Sequence, residues 1–308
     1  VTGSAFLGGF ELFVISGGNN VSVSNSSFDG FVSVVNLTGG TGHRFTGLSV
    51  VNHTFGLRIA NATGVVVLGL DAGPTLAQPY APPLSPPWGT AVAFSRVDAS
   101  RIANLRVRGV PQAPAPRSVA GFQLSNSTGV DIDGFLGRWG DSVGQIGSSS
   151  RINLSNFDAE NFSQPLDIVL SNNLTLVGAR FVGERSGISL SGSADFDLRS
   201  VVAGQIQVPV VTASGPSGSY SIQNLVVTDC PVAVLIQGSP ASLLLFGVSA
   251  TNTSNPIQID GSPLRTTLDT LTLTLVAGEA VRASFVDAVD FALRNLTAAN
   301  VSGFTLNF

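Results

Sequence analysis

Apolar and polar residues alternate along most of the chain in short runs, each broken by Gly, Asn or Ser. A two-residue alternation marks strands with one buried face, and few segments carry the stripe of an amphipathic helix. The alternation itself repeats. VSVSNSSFDGFVSVVNLTG from Val21, FTGLSVVNHTFGLRIANATG from Phe45 and INLSNFDAENFSQPLDIVLSNN from Ile152 each read as strand, polar turn, short strand, Gly or Pro, third strand and turn. Further turns begin near Val65, Ile102, Val130, Leu174, Phe196, Tyr220, Leu243, Leu268 and Val289. The period is roughly 22 residues, and about twelve copies fill the chain.

That period is too short for a propeller blade, and the dominance of Gly and β-branched residues argues against helical repeats. A parallel β-helix remains, with one repeat per rung, small residues turning the corners, and Val, Ile, Leu and Phe stacking inward. The predicted fold is therefore all-β: a single-domain parallel β-helix (β-solenoid) over residues 1–308, with about twelve rungs and a length of about 55–60 Å. Two stretches break the rhythm. Nine of the 16 prolines lie between Pro74 and Pro116, and missing donors with fixed dihedrals make 74–90 and 111–117 lateral loops rather than strands. Tyr80 and Trp88 on the first loop offer a contact surface. A Gly/Ser-rich stretch near Ser214–Ser219 predicts a further short insertion. At the ends, 1–15 and 303–308 are apolar and strand-like, and either cap their own ends or pair with a neighbouring subunit.

GLRIANATGVVVLGL at Gly56–Leu70, GFQLSNSTGVDIDGF at Gly121–Phe135 and GISLSGSADFDLRS at Gly187–Ser200 carry the repeat most clearly. In these segments the chain resembles the right-handed β-helices of the pectin lyase-like superfamily, especially NosD-like and extracellular surface β-helix proteins. The resemblance covers nearly the whole length and implies a fold rather than an activity. The right hand of the coil is implied by it alone.

Composition narrows the function. Only 11% of the 308 residues are charged, all 15 basic residues are Arg, and the net charge is −4. Scattered arginines with a net negative charge exclude a surface that tracks nucleic acid. No apolar run approaches the roughly 20 residues of a membrane span, and 44% hydrophobic residues argue against disorder. The single cysteine, Cys230, makes no internal disulfide. Solvation must come from the 37 Ser, 21 Thr and 19 Asn.

Asn-x-Ser/Thr, the acceptor motif for N-linked glycans, occurs at Asn20, Asn25, Asn36, Asn52, Asn61, Asn126, Asn153, Asn161, Asn173, Asn252, Asn295 and Asn300. Chance placement at this Ser/Thr content gives about 3.6 such motifs. Asn also suits β-helix corners, which explains the asparagines but not the Ser/Thr two positions on, unless an outward strand residue follows. Glycans would place the chain outside the cytoplasmic membrane.

Candidate chemistry is sparse. In VDIDGFLGRWGD, Asp131 and Asp133 project from one strand face, with Arg138 and Asp141 close in sequence, which permits an acidic cluster. Asp158, Glu160 and Asp167 could share a face. His43 and His53 sit on adjacent repeats without an evident third metal ligand. Cys230 has no histidine nearby in sequence. The polygalacturonase-like Asp pairs are absent. These features predict a non-enzyme without metal or cofactor: an extracellular glycosylated structural protein, a subunit of a surface filament or an S-layer-like cell-envelope layer, whose partners are copies of itself and covalent N-glycans. Avoidance of Lys and Met fits a long-lived exposed protein of an archaeal or thermophilic setting. The alternatives are an adhesin or carbohydrate-binding β-helix that stacks cell-surface polysaccharide on Tyr80, Trp88 and Trp139, and a polysaccharide lyase or hydrolase.

Overall fold

The computed structural model describes residues 1–73, 89–109, 119–184, 187–215, 218–284 and 289–307. Tyr80, Trp88 and nearly all of both proline-rich stretches lie outside the described residues. The chain is all-β, a parallel β-solenoid of about twelve turns with a spacing near 23 residues. Its coils group into two compact units, Val1–Ser163 and Gln164–Phe308.

In the first unit every ladder is parallel and in register from turn to turn. Val23, Phe45, Val67, Ile102, Ile132 and Leu154 form one inward column and are all buried. In the second unit Leu176, Leu198, Ile222, Leu245 and Leu268 form its counterpart. Each inward residue caps the one below it, so burial repeats at the spacing of the ladder and an alternating pattern suffices to fill the interior. The repeat starts at Val130 and Ile152, and again at Leu174, Phe196, Tyr220 and Leu243, fall on ladder partners.

The turns are made by residues in the left-handed conformation, stacked in columns. In the early turns they recur as Gly3, Gly8, Gly17, Asn20 and Asn25, at intervals of five, nine, three and five residues, and these intervals set the 22-residue turn. The first column of the first unit runs Gly3, Asn25, Gly47, Gly69, Asn104, Gly134, Asn156, and the second unit continues the type with Gly178, Ser200, Asn224, Gly247, Thr270 and Asn295. Glycine meets no Cβ penalty there, and Asn tolerates the conformation best among the rest. Among the described residues 13 of the 25 non-glycine residues at positive φ are Asn, so the corner preference accounts for most of the asparagine in the chain.

Both insertions enlarge the nine-residue interval that follows the second column. The described residues of the coil run to Gly73 and continue at the strand Gly89–Ser95, then run to Gly109 and continue at Val119–Ser125. Behind the third column a line of buried serines bridges the tight turn. Ser127 N–H donates to Ser149 Oγ at 3.1 Å and Ser171 N–H to Ser193 Oγ at 3.1 Å, while each hydroxyl donates to a carbonyl two residues back. Backbone groups that the bend turns away from the ladder are thereby satisfied.

Candidate functional site

The segment between the first and second columns of the first unit presents a polar outer face. Inward residues of the strands Val66–Ala72, Asp98–Arg108, Thr128–Arg138 and Ser150–Glu160 fill the core, which leaves Asp71, Arg106, Leu136 and Asp158 aligned outside them, one per turn. A second outward line holds Arg108, Arg138 and Glu160. Arg108 grips Asp71 with both fork nitrogens, at 3.2 and 2.7 Å. Arg138 lies between two carboxylates, Asp158 at 2.7 Å and Glu160 at 3.3 Å, and also donates to the carbonyl oxygens of Gly137 and Asp158. Beside them a cleft of about 300 Å³ follows the first column, lined by Asn104, Arg106, Leu136, Asn156 and Asp158 among others.

Gly137-Arg138-Trp139-Gly140 closes this face at the second column. Phe135, Phe157 and Phe162 pack beneath it, with Phe135 and Phe157 stacked at 5.2 Å. A Cβ at Gly137 or Gly140 would strike the Phe162 ring, so glycine on both sides lets the phenylalanine fill the corner from within. Trp139 then points away from the core, 41% exposed and at φ 58°. A bulky side chain in the left-handed region is uncommon and strained, and here its backbone lies against Gly109 of the preceding turn.

The predicted acidic cluster divides. Asp131 and Asp133 do share an outer face, but each carboxylate already has partners: Asn153 on Asp131 at 2.7 Å, and Ser155, Asn156 and Arg101 on Asp133. Hydrogen bonds from Ser155 and Asn156, with Arg101 as a smaller contributor, hold the Asp133 carboxyl below its ordinary range. It is a fixed acceptor and a poor general acid. Asp141 comes after the Trp139 corner, apart from the segment that carries the other two. Asp158 and Glu160 meet around Arg138, whereas Asp167 belongs to the second unit.

The histidines are interior groups. His43 Nε2 contacts the Gly39 carbonyl at 3.1 Å, and both ring nitrogens of His53 are buried with no hydrogen-bond partner among the described residues. Burial alone pulls His53 down to about 4. Among the described residues no three metal-ligating side chains gather. Cys230 is buried, contacts the Thr228 carbonyl oxygen, and is raised by desolvation, which keeps it a protonated, unreactive thiol.

What the sequence pattern missed is Arg106 and the joining of Arg138 to Asp158 and Glu160. Its signal was an outward i, i+2 acidic pair lying 20 and 22 residues beyond an arginine, about one turn.

No family model matches the chain, and no curated protein matches it. Two solved structures are similar to it. The periplasmic alginate epimerase AlgG is 8% identical with a TM-score of 0.46, over 98% of this chain and 78% of that one. The tailspike protein gp49 from Pseudomonas phage LKA1 is 12% identical with a TM-score of 0.43, and this chain's match spans 51% of the tailspike's length. The expectation of a non-enzyme is corrected: one of the structures to which the chain is similar is an enzyme, and a fold does not by itself exclude catalysis. The chain has the right-handed type of parallel β-solenoid fold.

Proposed function

We propose that this is an exported, surface-displayed β-solenoid that carries N-glycans and binds polysaccharide along the outer face of its first unit. The observation that carries the reading is Trp139, an exposed indole held at positive φ beside the Arg138–Asp158–Glu160 network. An aromatic face stacks on the C–H face of a pyranose, while guanidinium and carboxylate groups satisfy hydroxyls or a uronate. Asn104, Arg106 and Asn156 along the cleft extend the same donor set over several turns. Binding of this kind is the step that an adhesin and a polysaccharide-processing enzyme have in common. The test is a glycan array read with the full chain and with Trp139→Ala. Loss of binding without loss of fold supports the reading; unchanged binding, or no glycan bound by either protein, overturns it.

A second reading, assembly with copies of itself into a filament or layer, rests on the strand Ala5–Ser16. Its ladder partners among the described residues all lie on Ser27–Thr38, and it exposes Leu7, Phe10 and Val14 at 83, 67 and 62%. An apolar strand without Lys or Pro guards is the type that accepts another strand. Phe10→Lys should then abolish higher oligomers in light scattering, and oligomers that persist would count against this reading.

A further inference from the structure

The solenoid geometry explains why sequons are so frequent. Ten of the twelve sequon asparagines stand at left-handed positions; Asn36 and Asn153 are the exceptions. After such a corner the next residue turns inward, as Ser26, His53, Ala62, Ser127, Phe162, Leu174 and Thr253 all do. The residue after that faces out, where Ser and Thr suit a strand. Corner, inward and outward positions therefore write Asn-x-Ser/Thr even without any sugar.

The same geometry sorts eleven of the twelve sequons into two groups; Asn161, half-buried, falls in neither. In five of them the side-chain amide already donates to a carboxylate on the preceding turn: Asn36 to Glu11 at 3.0 Å, Asn52 to Asp29 at 2.6 Å, Asn153 to Asp131 at 2.7 Å, Asn252 to Asp229 at 2.6 Å and Asn295 to Asp269 at 2.8 Å. Six others, Asn20, Asn25, Asn61, Asn126, Asn173 and Asn300, are exposed and donate no side-chain hydrogen bond to the described residues. Asn25 also has glycine on both sides of it in its column, Gly3 and Gly47, which leaves room for a ring.

We infer that the folded chain is glycosylated at these six asparagines and that the five carboxylate-bound ones stay unmodified. This deepens the glycoprotein part of the proposed function and rests on it. The transfer joins Nδ2 to the anomeric carbon of an oligosaccharide carried on a lipid phosphate. The bond from that carbon to the phosphate oxygen breaks, the lipid phosphate departs with the electron pair, and one Nδ2 proton is lost. Nδ2 must therefore be approachable and must give up one of its two N–H groups. A carboxylate at hydrogen-bond distance occupies the approach and binds the amide through a charge-assisted bond that the sugar would disrupt.

The test is peptide-level mass spectrometry of the full chain purified from its native source, with occupancy read sequon by sequon. Glycan on the six exposed asparagines and its loss from the five bound ones is the expected result. Equal occupancy in both groups overturns the sorting while leaving the glycoprotein reading intact. Absence of glycan from every sequon peptide overturns the glycoprotein reading itself. Asp229→Ala supplies the second arm, since it frees the Asn252 amide. Asn252 should then reach the occupancy of Asn25, and an Asn252 that stays unmodified in this variant would show that the carboxylate is not what protects it.

Discussion

The segment between the first and second left-handed columns can be compared in the two units. In the first it carries Asp29, Asp71, Arg106, Arg108, Arg138, Asp158 and Glu160 on its outer face, four acidic groups and three basic. Its counterpart in the second unit runs Arg180, Val202, Val226, Ser249, Thr272 and Thr297 in one outward line and Val182, Gly204, Thr228, Thr251, Thr274 and Ala299 in the other, with Arg180 the single charge among them. Beneath both faces the inward residues are the same kind of stack, Leu105, Phe135 and Phe157 in one and Val201, Leu225 and Leu271 in the other. The fold is thus held by inward residues and corners, and the outward positions are free to differ. A charged, aromatic-edged face over an ordinary core marks the first unit as the place to look for a ligand.

Breaking the core should have the largest effect, and a similar one in both units. Phe135→Ala removes a ring stacked among three others, and a loss of about 3–5 kcal/mol is expected in denaturant unfolding. Leu273→Ala, fully buried in the second unit, should lose about 2–5 kcal/mol. If an outer-face substitution such as Thr272→Ala cost as much, the division between a structural inside and a free outside would be wrong.

Acid should separate the units next, because both histidines lie in the first. His53 falls from 6.5 to about 4 through burial. As pH drops the unfolded chain takes up its proton first, so stability is constant above about 6.5, declines towards about 4 and then levels off. The total loss should be about 3 kcal/mol. His53→Leu should flatten that part of the pH–stability curve, and a curve unchanged by this substitution would locate the acid sensitivity elsewhere.

Corners come third. Gly134 at φ 74° in the first unit and Gly247 at φ 66° in the second belong to the same type of column, and an added Cβ would press on Asn104 Oδ1 and Asn224 Oδ1 respectively. Replacing either with Ala should cost about 1–2 kcal/mol from the left-handed backbone alone, and thermal melting of the two variants should show similar shifts.

The outer faces themselves should matter least for stability. Arg138→Ala removes two partly exposed ion pairs and should cost no more than about 1 kcal/mol. Thr272→Ala should stay within about 0.5 kcal/mol. Polysaccharide binding should separate the pair far more sharply, weakened by the first and untouched by the second. Equal effects on binding would remove the functional distinction between the two faces.

Much of the architecture was legible in the chain. Strand alternation, small corner residues and the repeat length are local properties, so repeat starts such as Val130 and Ile152 matched the ladder itself. The site was legible only in pieces. Asp131 and Asp133 share an outer face and Asp158 and Glu160 meet, as their spacing permits, whereas the joining of the second pair through Arg138 crosses from one turn to the next. Neighbours along a strand are separated by every corner between them, and neighbours across turns are set by the length of the coil.

The sequence by itself determined the parallel coil, its period and its inward core, because each follows from a pattern of one residue in and the next out with Gly or Asn at the bends. Only the tertiary structure decided which outward groups meet. Arg138 reaches Asp158 and Glu160 across about one ordinary turn, yet Arg108 reaches Asp71 across 37 residues because an insertion lengthens the turn between them. It likewise decided which sequon amides are taken by a carboxylate on the turn before. The spacing of those partners varies with every insertion and bulge, while the repeat distance of the ladder does not.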